Sequence, residues 1–193
     1  MISNTETAVL SPTLLSLEDR LTDLFDTHHQ RLYRLARRMS GNAEEAYDLV
    51  QECFLRAARH AHRLPASASG AEAWLVRTLV NLCRDGFRRA EVRKRAGDAE
   101  TQEMIQQTLH DASSTSGSDV ETRRVHRQAV RSALSTLDPR RRAIVILREL
   151  EDRPMREVAR MLSITPVTAR WHLAKARRQL AQLLQDPISE HPP

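Results

Sequence analysis

The residues best suited to chemistry lie in the stretch Met155–Gln179, which reads as two short helices joined by a tight turn. Thr165-Pro166 marks the start of the second helix, because a threonine hydroxyl caps orphan N–H groups and proline fits the first helical position. The buried stripe of that helix, spaced at i, i+4, i+7 and i+11, consists of Ala169, Leu173, Ala176 and Leu180. The opposite face carries Val167, Arg170, Trp171, Lys175 and Arg178. The pattern fits a helix-turn-helix that enters a major groove, or a helical hairpin with a solvated basic face.

A second polar face belongs to a long helix that we expect from about Ala71 to Arg89 or beyond. Its members recur at i, i+4, i+7 and i+11 and are Arg77, Asn81, Arg84 and Arg88. Guanidinium and amide groups suit contacts with phosphates and base edges. An ordinary solvated face has the same spacing, so the sequence alone leaves both interpretations open.

A third face has mixed charge and lies on a helix expected over Ala43–His62. The inward stripe of this helix is apolar and includes Leu49, Val50, Cys53, Phe54 and Ala57. The outer face carries Asp48, Gln51, Glu52 and Leu55. The composition of Arg63–Gly70 predicts a loop after this helix.

Patterns typical of an enzyme are not found. The sequence contains no nucleophile elbow, phosphate-binding loop or metal-ligand cluster. Cys53 and Cys83 lie within apolar stripes and form no CxxC pair, so we expect neither a metal site nor a cofactor.

Composition predicts an all-α protein of two small helical domains. The chain has 193 residues, of which 40% are hydrophobic and 4% aromatic, with five glycines and no sustained alternation at period two. No run of about eighteen apolar residues predicts a membrane span. The first twelve residues lack the pattern of a secretory signal, so we expect a cytoplasmic location.

Charge divides the chain unevenly. Residues 1–122 hold 15 Lys and Arg against 18 Asp and Glu, a net charge of −3, and residues 123–193 hold 15 against 7, a net charge of +8. This predicts that nucleic acid is met mainly at the C-terminal end. We expect a disordered tail at 1–17, a helical domain at 18–95, a flexible acidic linker at 96–122 with room for a short helix over Thr101–Leu109, a second domain at 123–185, and a frayed tail at 186–193.

Two separate stretches resemble one family. EEAYDLVQECFLRAARH followed by AWLVRTLVNLCRDGFRR resembles region 2 of the extracytoplasmic-function (group 4) sigma factors of bacterial RNA polymerase. LDPRRRAIVILRELEDRPMREVARMLSITPVTARWHLAKARRQL resembles their region 4. The resemblance covers roughly 20–95 and 123–184, and the order of the two regions matches as well.

The resemblance implies a subunit that binds core polymerase, directs it to promoter DNA and has no catalytic activity of its own. It implies polymerase docking at Asp48, Gln51, Glu52 and Leu55, and contact with the −10 element at Arg77, Asn81, Arg84 and Arg88. It implies contact with the −35 element at Pro166, Val167, Thr168, Arg170, Trp171 and Lys175. It also places a base pocket near Arg63–Gly70, the acidic linker near the RNA exit path, and an anti-sigma factor among the partners.

Three positions depart from the family pattern. Ser163 stands where the turn usually has Gly, and His172 stands where Arg is usual. Trp171 replaces a small polar residue, and one interpretation is that it packs against the preceding helix. We therefore expect a slightly strained turn and an unusual −35 preference.

Two other classes of protein remain alternatives. One is a free-standing dimeric helix-turn-helix regulator, and the other is an α-helical adaptor. A further hypothesis concerns the free protein, in which a compact, inhibited form would hide Arg77, Asn81 and Arg84 against the second domain.

Overall fold

The computed structural model describes residues 17–95 and 118–185, and every regular element in these two stretches is helical. The helices are α1 (Leu17–Ser40), α2 (Ala43–Arg59), α3 (Ala68–Arg95), α4 (Ser118–Ser135), α5 (Pro139–Val145), α6 (Met155–Leu162) and α7 (Pro166–Gln185). A 3₁₀ turn at Ala61–Arg63 follows α2, and a π-helical turn at Ile146–Leu150 continues α5. The predicted all-α fold is confirmed. The predictions for both tails, for the acidic linker and for a helix over Thr101–Leu109 fall mainly or wholly outside the described residues.

The junction between α1 and α2 is fixed by two residues with different tasks. Gly41 has φ +80°, a left-handed conformation that side chains other than glycine adopt only with strain. Asn42 then caps α2, because its side-chain oxygen accepts hydrogen bonds from the backbone N–H groups of Glu44 and Glu45.

Asp138 and Pro139 fix the start of α5. Asp138 accepts hydrogen bonds from the backbone N–H groups of Arg140 and Arg141, and Pro139 occupies the first helical turn. Because the cap fixes the entry of α5, it also sets the direction of the buried run Ala143–Leu147 that follows.

Some helix boundaries differ from the sequence-based prediction. The second helix ends at Arg59 rather than His62, and the third begins at Ala68 rather than Ala71. The fourth begins at Ser118, before the expected restart near Arg123, because the sequence gives no apolar period before Val125.

The described helices form two units that share one hydrophobic core. The N-terminal unit is α1–α3, and the C-terminal unit is α4–α7. Helix α3 also packs against α5 and α6, and α1 packs against α4 and α5. Leu35 and Leu79 from the first unit and Ile144, Leu147 and Met161 from the second are therefore buried in a single cluster. Within the two described stretches, no helix has the length and apolarity needed to span a membrane.

Candidate nucleic-acid interface

The helix-turn-helix is built by α6, a left-handed turn and α7. Ser163 has φ 53° and ψ 46°, and its N–H is bonded to the Arg160 carbonyl at 3.3 Å. The structure thus places serine in the conformation that glycine adopts at least cost. Thr165 Oγ1 accepts the Thr168 N–H at 3.1 Å, which fixes the first turn of α7.

The outer face of α7 is open to solvent. Val167 is 71% exposed and Trp171 is 57% exposed, while Arg170 and Lys175 are exposed beside them. The remaining predicted contact residues of this helix, Pro166 and Thr168, are half-buried in its first turn. The inward stripe of Ala169, Leu173 and Ala176 is buried, so the helix presents its basic and apolar residues outwards.

Trp171 lies on that outer face with two neighbours from its own helix. Lys175 Nζ lies 5.3 Å from the indole centroid, a cation–π distance, and the His172 ring meets the indole edge-on at 4.9 Å. The indole is therefore a surface group, and its interpretation as a packing residue against the preceding helix is wrong.

The surroundings of His172 favour the neutral form of its imidazole. Burial lowers the pKa of its imidazole, the nearby Asp138 only partly opposes this, and its Nδ1 has no hydrogen-bond partner among the described residues. A neutral ring at this position cannot replace the charge of the arginine that the family pattern places there.

The predicted face of α3 is partly covered. Arg77, Asn81 and Arg84 are half-buried, whereas Arg88 is exposed nearer the end of the helix. Arg77 Nη2 donates to the Arg160 carbonyl of α6 at 2.9 Å. The Nε atoms of Arg77 and Arg84 are buried without a hydrogen-bond partner among the described residues. Arg77, Asn81 and Arg84 are therefore less accessible than Arg88 on the same face.

The mixed-charge face of α2 is accessible. Asp48, Gln51 and Leu55 are exposed, and Leu55 is an uncovered large apolar side chain at 50% exposure. Glu52 accepts a hydrogen bond from Arg56 at 2.8 Å, which lowers the pKa of its carboxyl and keeps it ionised. This face combines an apolar centre with carboxylates, a composition suited to protein contact.

The loop between α2 and α3 is held from two sides. Arg20 of α1 donates to the carbonyls of Leu64 and Pro65. A Cβ at Gly70 would lie 2.7 Å from the Pro65 Cβ and 2.8 Å from the Ser67 Oγ, so only glycine fits at this position. The loop that the resemblance associates with a base pocket is thus anchored.

Neither cysteine is reactive in this structure. Cys53 and Cys83 are free, and burial raises the pKa of both thiols to about 12. Within the described stretches, no group of three or more His, Cys, Asp or Glu residues could hold a metal ion.

Sequence reasoning missed the polar groups that join the two units. Arg31 of α1 pairs with Glu72 of α3 at 2.5 Å and with Glu151 of the C-terminal unit at 2.6 Å. Arg153, also from the C-terminal unit, pairs with the same Glu72 at 2.8 Å. Arg142 is a buried arginine at the same junction. The only signal for it was three consecutive arginines at the start of a helix, one of which has to point inwards.

Two family models match the chain. One describes sigma-70 region 2 and matches residues 24–93, which covers most of α1–α3. The other describes sigma-70 region 4 and matches residues 127–180, which includes the helix-turn-helix.

Curated relatives agree with these matches. The chain is 34% identical over 161 residues to the ECF RNA polymerase sigma factor SigM of Mycobacterium tuberculosis, covering 83% of this chain and 75% of the relative. It is 23% identical to SigW of Bacillus subtilis, covering 88% and 91% of the two chains.

A solved structure has a similar fold. It is the sigma factor RpoE of Bartonella quintana in a co-crystal with the anti-sigma factor NepR, with a TM-score of 0.56 and 20% identity. The match covers 86% of this chain and 98% of that chain.

Proposed function

Because the chain belongs to the extracytoplasmic-function sigma factors of the sigma-70 family, we propose a division of promoter recognition among three of its helix faces. The protein is an RNA polymerase sigma factor that directs promoter recognition, and sigma factors bind core RNA polymerase. They are not enzymes. In our proposal residues 18–95 bind core polymerase and the −10 element, and residues 123–185 bind the −35 element.

The outer face of α7 is the proposed reader of the −35 element, and its exposure is the observation that carries the proposal. Val167, Arg170, Trp171 and Lys175 all point to solvent from a helix whose start is capped and whose inner stripe is buried. An α-helix fits the major groove, where cations meet phosphates and apolar groups meet thymine methyls. Pro166 and Thr168 lie in the first turn, the part of a recognition helix that comes nearest the bases.

The face of α3 is the proposed contact with the −10 element. Arg77, Asn81, Arg84 and Arg88 supply three guanidinium groups and one amide along a single helix face. Such groups follow a single-stranded backbone through charge and offer donors to unstacked bases. The partial covering of this face matters for how the free protein behaves, as argued below.

The face of α2 is the proposed docking surface for core polymerase. Asp48, Gln51 and Leu55 are exposed, and Glu52 is ionised and paired with Arg56. We also propose an anti-sigma factor as a second protein partner, supported by the fold shared with a sigma factor crystallised with NepR.

The test is co-purification of the full chain with bacterial core polymerase, followed by run-off transcription on genomic fragments. We expect stoichiometric binding and start sites that share two spaced elements. The combined change Asp48→Ala and Glu52→Ala should weaken core binding, while Asp23→Ala with Asp26→Ala, which removes equal charge from exposed positions of α1, should not. Failure to bind core, together with tight binding of duplex DNA by the protein alone, would favour the dimeric regulator instead.

A further inference from the structure

A cluster of four charged side chains joins the two helical units. We call Arg31, Glu72, Glu151 and Arg153 the Glu72 network. Arg31 donates through Nε at 3.0 Å and through Nη2 at 2.6 Å to one oxygen of Glu151, and Nη1 of Arg31 lies 2.5 Å from Glu72. Arg153 donates to the same Glu72 oxygen at 2.8 Å. The network therefore ties α1 and α3 to the loop that precedes α6.

The Glu72 network is shielded from solvent. The side chains of Glu151, Glu72 and Arg31 are 11%, 14% and 16% exposed, and that of Arg153 is 29% exposed. Salt screens such pairs less than it screens surface pairs. Each carboxylate has a basic partner from the opposite unit, so separating the units leaves these charges without those partners.

A second polar contact reinforces the junction. Arg142 of α5 donates to the Met39 carbonyl near the end of α1, to the Ser135 carbonyl at the end of α4 at 2.6 Å, and to the Leu137 carbonyl at 3.1 Å. Helix C-termini carry unpaired carbonyls and partial negative charge, which a guanidinium neutralises. One side chain thus satisfies helix ends in both units.

The two units pack against each other in what we call the closed arrangement. In this arrangement the three proposed faces differ in accessibility. The C-terminal unit packs on α3 and bonds to Arg77 through the Arg160 carbonyl, and Arg77, Asn81 and Arg84 are half-buried. The α2 face and the outer face of α7 are largely exposed. Among the described residues, the Nε atoms of Arg77 and Arg84 also stay buried and unpaired in this arrangement. The covering is therefore imperfect in hydrogen bonding, which favours release once single-stranded DNA offers phosphates to these groups.

We propose that the closed arrangement is an autoinhibited state of the free sigma factor, in which the Glu72 network holds the C-terminal unit over the −10 face. This inference rests on the proposed roles of the α2 and α3 faces. Core polymerase docks on the open α2 face without displacing the C-terminal unit. Promoter contact through α3 requires the two units to separate, so free protein is kept from single-stranded DNA until it is on polymerase.

The test compares two charge-neutral double variants of the full chain. Glu151→Gln with Arg153→Gln removes the C-terminal unit's members of the Glu72 network. Glu149→Gln with Arg177→Gln is the matched control, because this pair, at 2.7 Å, lies entirely within the C-terminal unit. Both keep the net charge, so changes in DNA affinity cannot come from total charge.

Small-angle X-ray scattering of each free protein measures the separation of the units. Fluorescence anisotropy with a mixed-sequence single-stranded DNA of about 20 nucleotides measures access to the α3 face. We expect the network variant to show a larger radius of gyration and, if about one molecule in ten is open in the wild type, up to about tenfold tighter DNA binding. The control variant should match the wild type in both measurements, and both variants should bind core polymerase normally.

Circular dichroism checks that each variant is folded. Arg31→Gln, which removes a member of the Glu72 network from the N-terminal unit, should also increase the radius of gyration. An unchanged radius of gyration for both network variants would overturn the closed state, and expansion without tighter DNA binding would overturn the autoinhibition. If the wild-type protein did not bind core polymerase, the proposed function would be refuted. The scattering result would still decide whether the Glu72 network holds the two units together.

Discussion

Two basic helix faces of this protein share a spacing but differ in accessibility. Val167, Trp171 and Lys175 on α7 follow one another at i, i+4 and i+8, and all three are exposed. Arg77 and Asn81 on α3 also stand four residues apart, yet both are half-buried, and Arg77 is bonded to the Arg160 carbonyl of the C-terminal unit. Residue type and period therefore identify a polar face, but they do not show whether the protein's own chain covers it.

The difference arises from what each helix packs against. Helix α7 lies against α4, α5 and α6 through one stripe only, which leaves the opposite side free. Helix α3 has 28 residues, a length of about 42 Å, and packs on α1 and α2 on one side and on α5 and α6 on another. Its later turns extend past this contact, so Arg88 is exposed while Arg84 is not.

Among the substitutions that test this difference between α3 and α7, Arg142→Met is expected to have the largest effect, because it weakens the junction of the two units. Burial lowers the pKa of Arg142, and its guanidinium donates to three carbonyls at the junction of the units. Methionine keeps much of the apolar volume but leaves those carbonyls unpaired, so we expect the free energy of unfolding to fall by about 3 kcal/mol. Urea unfolding followed by circular dichroism measures this change.

Arg140→Met is the matched control for that substitution, because Arg140 is half-exposed and only two residues away on the same helix. It should change stability by less than about 0.5 kcal/mol. An equally small effect of Arg142→Met would mean that the junction does not depend on the buried guanidinium, and the covering of α3 would then rest on apolar packing alone.

A smaller effect is expected from Arg84→Ala, which tests the covered face directly. Loss of one charged donor should reduce promoter opening by roughly tenfold or more, while core polymerase binding stays intact. Because the Arg84 Nε is buried with no hydrogen-bond partner in the described part of the chain, the substitution should not destabilise the free protein. Permanganate footprinting of the melted promoter region measures opening.

Arg89→Ala supplies the comparison for Arg84→Ala. Arg89 is exposed on the same helix, and its Nε donates to the Asp85 carbonyl of that helix at 3.2 Å. The Arg89→Ala substitution should leave promoter opening nearly unchanged. Normal opening by the Arg84 variant would show that the α3 face is not the contact with the −10 element.

The local parts of the fold could be predicted from the sequence because their causes are local. The cap at Asp138-Pro139 and the left-handed turn at Ser163 each depend on residues within one turn of helix. Asn42 shows the limit of this reasoning, because asparagine suits either end of a helix and only the structure shows that it is the N-cap of α2.

The contacts between the units could not be predicted, because no local pattern encodes them. Arg31 and Glu151 stand 120 residues apart, and pairing over such a separation leaves no period in the sequence. Arg142 is one of three consecutive arginines, and helical spacing alone does not select which one turns inwards. A polar network between units depends on how the units pack, which is decided only by the whole fold.

The smallest of these effects is expected from Trp171→Ala on the open face. Its indole is 57% exposed, so its loss should leave the stability of the protein unchanged and act only on DNA. An apolar contact with a base edge is worth about 1 kcal/mol, so transcription from a promoter found by run-off should fall by about fivefold. The fall should shrink when the −35 element is scrambled, because Trp171 contributes to sequence preference.

Lys175→Ala, by contrast, should weaken binding to both templates alike, since a phosphate contact carries no sequence information. Leu183→Ala, an exposed apolar change three turns further along α7, should do neither. If Trp171→Ala lowered transcription equally on intact and scrambled templates, its role would be general affinity, and the open face would read sequence through other residues.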